Sequence, residues 1–125
     1  MKLLLDTHVF LWCAKDDKKL SKKAKSKILH PDHVYVSSAS IWEAAIKIKL
    51  KKLQANIDAL VDAIDKCGFS ELVVTVHHAA AVSRLQDLHR DPFDRILLAQ
   101  AINEPLTFLT ADSMLQEYSD LVELV

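Results

Sequence analysis

Four acids, Asp6, Glu43, Asp94 and Asp112, are the residues of this 125-residue chain whose type and placement could do chemistry together. Asp6 closes an apolar run, Asp112 follows another, and Glu43 and Asp94 fall in the opening turns of helical patterns. Carboxylates a few ångström apart raise one another's pKa until one takes a proton, and a divalent cation removes that conflict. Oxygen-only donors favour a hard octahedral ion, Mg²⁺ or Mn²⁺, and no His/Cys spacing here resembles a zinc site. Such an ion turns bound water into a nucleophile near neutral pH and stabilises charge on an attacked phosphate, which implies phosphodiester hydrolysis.

Taken singly, most of these acids have a second explanation. Asp91 and Asp94 suit a helix N-terminus on capping and dipole grounds, Glu43 suits a first turn, and Asp112 suits the cap of a short helix after Thr110. Asp6 is different, because an acid directly behind a buried apolar strand, with no basic residue until Lys15, is costly unless something pairs with it. Thr7 and Thr110 flank the acids, either as supports for carboxylate or metal-bound water or as ordinary capping hydroxyls.

The elements that must position these side chains alternate. Lys2 to Leu5 reads as a buried strand, His8 to Ala14 as a helix, and Ser21 caps a helix to about Leu29 that His30-Pro31-Asp32 ends. His33 to Val36 predicts a second strand, followed by a helix through Ile41 to about Leu50. Asn56 to Cys67 is helical before the only glycine, Gly68; Leu72 to Val76 is β-branched and strand-like; His77 to Leu88 is helical again. After a turn at His89 to Pro92, Asp91 caps a helix with Pro92 at its first position, and Leu106 to Leu109, Met114 to Tyr118 and Leu121 to Val125 predict strand, short helix and strand. Strands alternating with helices, without two-residue hairpins, imply an α/β fold: a mainly parallel sheet of four to five short strands flanked by helices. In such sheets ligands gather beyond the carboxyl ends of the strands, where these acids fall.

Length and composition predict a single domain over residues 1–125 with one core. The apolar start is broken at Asp6, too short for a signal core or a membrane span, so the expected location is the cytoplasm, with no membrane. Cys13 and Cys67 lack CxxC spacing and read as buried small hydrophobes. A net charge of −1 conceals an asymmetry: 12 basic and 5 acidic residues through Lys52, then 4 and 12. The halves are therefore +7 and −8, which suits either a phosphate-binding surface beside an acidic site or well-separated solvated helix faces.

In LLLDTHVFLW, SSASIWEAAIK, HRDPFDRILLAQA and LTFLTAD, spread from Leu3 to Asp112, the sequence resembles the PIN-domain ribonucleases, specifically VapC-like toxins of bacterial and archaeal toxin–antitoxin pairs. The resemblance implies a three-layer fold and an Mg²⁺- or Mn²⁺-dependent endoribonuclease whose acidic quartet matches Asp6, Glu43, Asp94 and Asp112. It implies too a homodimer and an antitoxin partner that crosses the acidic pocket. Two acids stand three apart in HRDPFDR; Asp94 is the preferred match, with Asp91 as N-cap or outer partner. The alternative is a catalytically idle PIN-like module binding RNA or protein. An aspartate-nucleophile phosphatase would need a second acid two residues after Asp6, where His8 stands.

The remaining polar residues are read more plainly. A metal-activated water needs no separate base, so His8 and His89 are not required for proton transfer, and His30, His33, His77 and His78 read as structural or exposed. Arg90 and Arg95 bracket the acids at Asp91 and Asp94 and pair with them or with substrate phosphate. Trp12 and Trp42 fall on apolar helix faces and read as core. Lys15 to Lys27 holds seven lysines and Lys47 to Lys52 four; Lys22, Lys23 and Lys25 are the expected guides of RNA phosphates.

Overall fold

The apolar runs and helical repeats condense into five strands and six α-helices in a computed structural model that describes residues 2–29, 33–88 and 90–125. The expected helix stop at His30-Pro31-Asp32 and the expected reading of His89 lie outside the described residues. In chain order the elements are β1 (Lys2–Leu5), α1 (Thr7–Lys15), α2 (Lys22–Leu29), β2 (His33–Ser37), α3 (Ser38–Lys49), α4 (Ile57–Lys66), β3 (Ser70–Leu72), α5 (Val76–Ala81), α6 (Pro92–Asn103), β4 (Thr107–Thr110) and β5 (Val122–Leu124). Short 3₁₀ turns occupy Val82–Arg84 and Ser113–Tyr118. The sheet order is β3-β2-β1-β4-β5 and every pairing is parallel.

Successive residues of a strand point to opposite faces, so a strand covered on both sides must be apolar throughout. β1 obeys this: Leu3 and Leu5 enter one core with Val9 and Phe10 of α1, Ala24 of α2 and Leu60 and Ile64 of α4. Leu4, between them, enters the other with Leu97, Leu98 and Ala101 of α6 and Phe108 of β4. Helices on both faces of one parallel sheet make the three layers expected from the sequence. No helix among the described residues is long and apolar enough to cross a membrane.

Several helix ends follow the capping signals. Ser21 Oγ accepts from the Ala24 N–H at 3.1 Å, Asn56 Oδ1 accepts from Ala59 at 3.0 Å, and Gly68, just beyond α4, takes a φ of +78°. α3 begins earlier than expected, because Ser37 Oγ caps it through the Ala39 N–H at 3.0 Å and Ser38 to Ser40 are already helical. The third strand departs from the expected Leu72 to Val76. It spans Ser70–Leu72, and Val76 is instead the first residue of α5. A reciprocal cap decides this: Thr75 Oγ1 accepts from the His78 N–H at 3.2 Å while His78 Nδ1 accepts from the Thr75 N–H at 3.0 Å. His78 therefore stands where a capping box usually carries Glu or Gln. The helix expected to reach Leu88 stops at Ala81 and tightens into the first 3₁₀ turn.

Four burial expectations are corrected. Trp42 is 63 % exposed, Cys67 is exposed at the end of α4, and Trp12 and Cys13 are only half-buried against the α1 core. Phe108 is fully buried in the core beside α6. Phe108→Ala is expected to lose about 3–5 kcal/mol of stability, with Phe108→Leu losing much less, as read from urea unfolding midpoints.

Candidate active site

β1 lies at the middle of the sheet. The chain builds outward from it through β2 and β3, then returns across it to build β4 and β5 on the other side. The crevice beyond the carboxyl ends of β1 and β4 is therefore the point where the strand order reverses. Asp6 stands there: its N–H donates to the Leu109 carbonyl at 2.9 Å, extending the ladder of β1 and β4 by one bond. Its residue is 5 % exposed, and although it occupies the N-cap of α1 it makes no side-chain cap hydrogen bond.

The Asp6 carboxylate is bound by Thr110. Thr110 Oγ1 donates to Asp6 Oδ2 at 2.6 Å and accepts the Asp112 N–H at 3.0 Å, so one hydroxyl couples the first acid to the backbone of the last. Thr7 Oγ1 donates to Ser40 Oγ at 2.9 Å and fastens the start of α1 to α3, one turn before Glu43. Ser40, fully buried, was read from sequence only as a lead into a helix; its spacing of three from Glu43 places both on one helix face.

Glu43 is 6 % exposed and bonds the Lys47 ammonium at 2.8 Å, one turn on. Burial pushes the Asp6 carboxyl above its ordinary value, against the Thr110 hydrogen bond, the charge of His8 and the Thr7 amide, and the nearby Glu43 charge pushes it further up. Asp94 and Asp112 are half-buried. Asp112 Oδ1 accepts the Met114 N–H at 3.0 Å, so this acid does cap the turn that follows it. Asp91 is exposed and caps α6, its Oδ1 accepting from Phe93 at 2.9 Å and from Asp94 at 3.4 Å.

Asp6 and Glu43 are thus brought into each other's field, whereas no three His, Cys, Asp or Glu side chains among the described residues stand close enough to hold an ion as they lie. The donor set nevertheless suits a hard cation: two buried carboxylates that repel each other, one of them held by the Thr110 hydroxyl and the Thr7 amide and without an ion-pair partner among the described residues.

The basic residues are distributed differently from the acids. Arg95 donates to the Gln86 carbonyl at 3.0 Å and the Val82 carbonyl at 3.2 Å, pinning the segment before α6. Arg90 lines a groove of about 480 Å³ shared with Glu43, Lys47 and Asp91. Lys22, Lys23 and Lys25 lie on α2; Lys23 reaches the Leu124 carbonyl at 3.5 Å and Lys25 approaches Asp16 at 4.0 Å, while Lys27 pairs with Glu123. That places α2 along the β5 edge, and Lys47 is the lysine that touches an acid of the quartet.

A buried carboxyl whose folded pKa is raised costs stability while charged, and the cost disappears as pH falls through the raised value. Between the ordinary value of 3.8 and that raised value the folded state holds the extra proton, so its contribution falls as pH rises. Asp6→Asn is expected to raise the melting temperature of the metal-free protein by a few degrees at neutral pH and to flatten its pH dependence. A melt that drops, with the pH dependence kept, would contradict it.

A PIN domain family profile matches residues 3–121, a span that includes all four of the segments singled out in the sequence. The chain is 28 % identical over 122 residues to Ribonuclease VapC22 of Mycobacterium tuberculosis, covering 93 % of this chain and 91 % of that protein. Its fold is similar to that in the crystal structure of VapBC2 from Rickettsia felis bound to a DNA fragment from their promoter, with a TM-score of 0.69 and 13 % identity over 100 % of this chain and 98 % of that one. A toxin–antitoxin complex from Klebsiella pneumoniae is similar at a TM-score of 0.65 and 19 % identity, over 97 % and 95 % of the two chains. Those likenesses concern the fold, and the profile match concerns the sequence itself over nearly its whole length. The chain belongs to the PIN domain family.

Proposed function

We propose that this protein is a divalent-metal-dependent endoribonuclease, the toxin of a toxin–antitoxin pair, acting in the cytoplasm as a single PIN domain. The observation that carries the reading is Asp6: a carboxylate 5 % exposed at the reversal point of the sheet, raised in pKa by burial and by Glu43, and held by neutral donors, the Thr110 hydroxyl and the Thr7 amide. Burying such a charge is expensive unless a cation joins it. Support for RNA as substrate and for the toxin role comes from the relative named a ribonuclease and from the fold neighbours, which are toxin–antitoxin complexes.

In this reading Asp6, Glu43, Asp94 and Asp112 would hold Mg²⁺ or Mn²⁺, which supplies an activated water and stabilises charge on the attacked phosphate. The chain's own residues do the positioning. Thr110 orients the Asp6 carboxylate and, through its second bond, sets the loop that carries Asp112. The Thr7–Ser40 bond fixes the spacing between α1 and the face of α3 that carries Glu43. Lys47 neutralises Glu43 until a metal or substrate group competes for it. Asp91 acts as the cap of α6 and so aims Asp94 from the first turn. Lys22, Lys23 and Lys25 add a cationic surface on α2 that attracts RNA at longer range.

Two partners belong to the reading. The antitoxin is the cognate protein inhibitor, and a second copy of this chain covers the apolar face around Trp42. That face contains a groove of about 670 Å³ lined by Trp42, Val74, Val82, Phe93 and Ile96, with Trp42 63 % exposed and Val73, the neighbour of Val74, 58 % exposed. Exposed apolar area of this kind marks an interface. The idle-module alternative has one observation in its favour, the absence of a ready three-ligand cage among the described residues.

Cleavage decides between them. Purified protein is expected to cut RNA with Mg²⁺ or Mn²⁺ and not with EDTA. Asp6→Asn and Asp94→Asn should each cost more than the roughly 100-fold that losing an outer partner of a ligand can cost, and Thr110→Val about 10–100-fold. Asp91→Asn should stay near the parent in activity, while Asp91→Ala loses about 1 kcal/mol of stability through its cap. Undiminished cleavage by Asp6→Asn, or cleavage in EDTA, would overturn the site. Light scattering after size exclusion is expected to give a dimer that Trp42→Glu converts to a monomer; a monomeric parent would remove the homodimer.

A further inference from the structure

Beside α1 and the end of α3 lies a groove of about 420 Å³ that the reading above leaves unused. Its walls carry the ammonium groups of Lys15, Lys19, Lys47 and Lys52, the imidazole of His8 and the indole of Trp12. Two of its lining residues link it to the buried acids: Lys47 bonds Glu43 at 2.8 Å, and His8 follows Asp6 by two residues. Asp17, the groove's one carboxylate, is engaged by the backbone N–H of Lys19 at 2.9 Å, and Lys15 donates to the Gln54 carbonyl at 3.1 Å. Neither Lys19 nor Lys52 has an ion-pair partner among the described residues.

His8 and Trp12 are one helical turn apart, with ring centroids 6.5 Å apart and planes tilted by 51°. Trp12 has the core behind it, whereas His8 is exposed. Aromatic faces set among unpaired ammonium groups bind single-stranded nucleic acid, whose bases offer a face for stacking and whose phosphates take the charge. A duplex keeps its base faces stacked inside. A protein partner would find the apolar surface it needs around Trp42 instead.

We propose that this groove seats an unpaired nucleotide of single-stranded RNA next to the scissile phosphate, its base against Trp12 and His8 and its flanking phosphates on Lys19 and Lys52. The assignment rests on RNA being the substrate, and it names the strand form the acids act on. Lys19 and Lys52 are exposed, so neutralising them leaves the fold intact.

The full chain is titrated in EDTA with fluorescein-labelled oligouridine and with a blunt RNA duplex of equal length, reading anisotropy at several salt concentrations. The parent is expected to prefer the single strand. Lys19→Gln with Lys52→Gln should weaken that binding roughly tenfold and make the log–log salt dependence shallower by about 1.4, the loss of two phosphate contacts. The chain has two tryptophans, so Trp42→Phe leaves Trp12 as the sole indole, and oligouridine should quench it where inorganic phosphate does not. Unchanged affinity and salt slope in the double variant, equal affinity for the duplex, or an unquenched Trp12 would each overturn the groove. With Mg²⁺ restored, a parent that binds the strand without cutting it removes the nuclease and keeps the groove. A parent that cuts while the double variant binds normally does the reverse.

Discussion

The Asp6 carboxylate leaves water as β1 ends, and the desolvation is answered in part by a 2.6 Å hydrogen bond from Thr110, the His8 charge and the Thr7 amide, with the repelling Glu43 nearby. Everything that surrounds it follows from the central place of β1. A strand with neighbours on both sides and helices over both faces has to be apolar at every position, so its first polar residue falls where the sheet ends. Because the chain reverses its strand order at that point, β4 brings Thr110 and Asp112 to one side of Asp6 and β2 delivers α3 with Glu43 to the other. Asp6 and Glu43 thus come from distant stretches of sequence into each other's field, and Thr110 ties the backbone of Asp112 to the same strand end.

Two hydroxyl bridges keep that rim in register. Thr110 ties the end of β1 to the loop after β4, and Thr7 ties the start of α1 to α3 through Ser40. The charges are then sorted by depth: Asp6 and Glu43 are buried, Asp94 and Asp112 half-buried, and Asp91 exposed and spent on its helix cap. Lys47 lines two grooves, one shared with Glu43, Arg90 and Asp91 toward Pro92 and Phe93 and a cationic one toward Trp12.

Much of the fold was legible because its signals are local. A continuous apolar run ending in Asp-Thr announces β1 and Asp6, and Asn56, Gly68, Asp91 and Pro92 mark helix ends by their own backbone chemistry. What sequence could not announce depended on distant partners. The β-branched patterning at Val73, Val74 and Val76 suggested a longer third strand, but β2 offers only Tyr35 to Ser37 for pairing and the Thr75–His78 cap claims Val76 for α5. Trp42 has the spacing of a core residue, yet it meets Phe93 of α6 edge to face, with ring centroids 5.1 Å apart, and stays 63 % exposed. Ser40 looked like filler in a serine-rich approach to a helix until α1 placed Thr7 against it. For the site, residue types and order proposed the acids and already gave Asp91 the N-cap of a helix with Asp94 in its first turn, and the structure has Asp91 capping α6 in that way.

The central claim is that the charge buried at the end of β1 is completed by a divalent cation. Crystals soaked in Mn²⁺ and measured for anomalous scattering test it directly. The account predicts a peak at coordination distance, about 2.1–2.3 Å, from the Asp6 carboxylate and shared with Glu43, Asp94 or Asp112, as oxygen ligands of a hard octahedral ion require. A crystal with full Mn²⁺ access and no peak at Asp6, or with the ion held elsewhere on the surface, would contradict it.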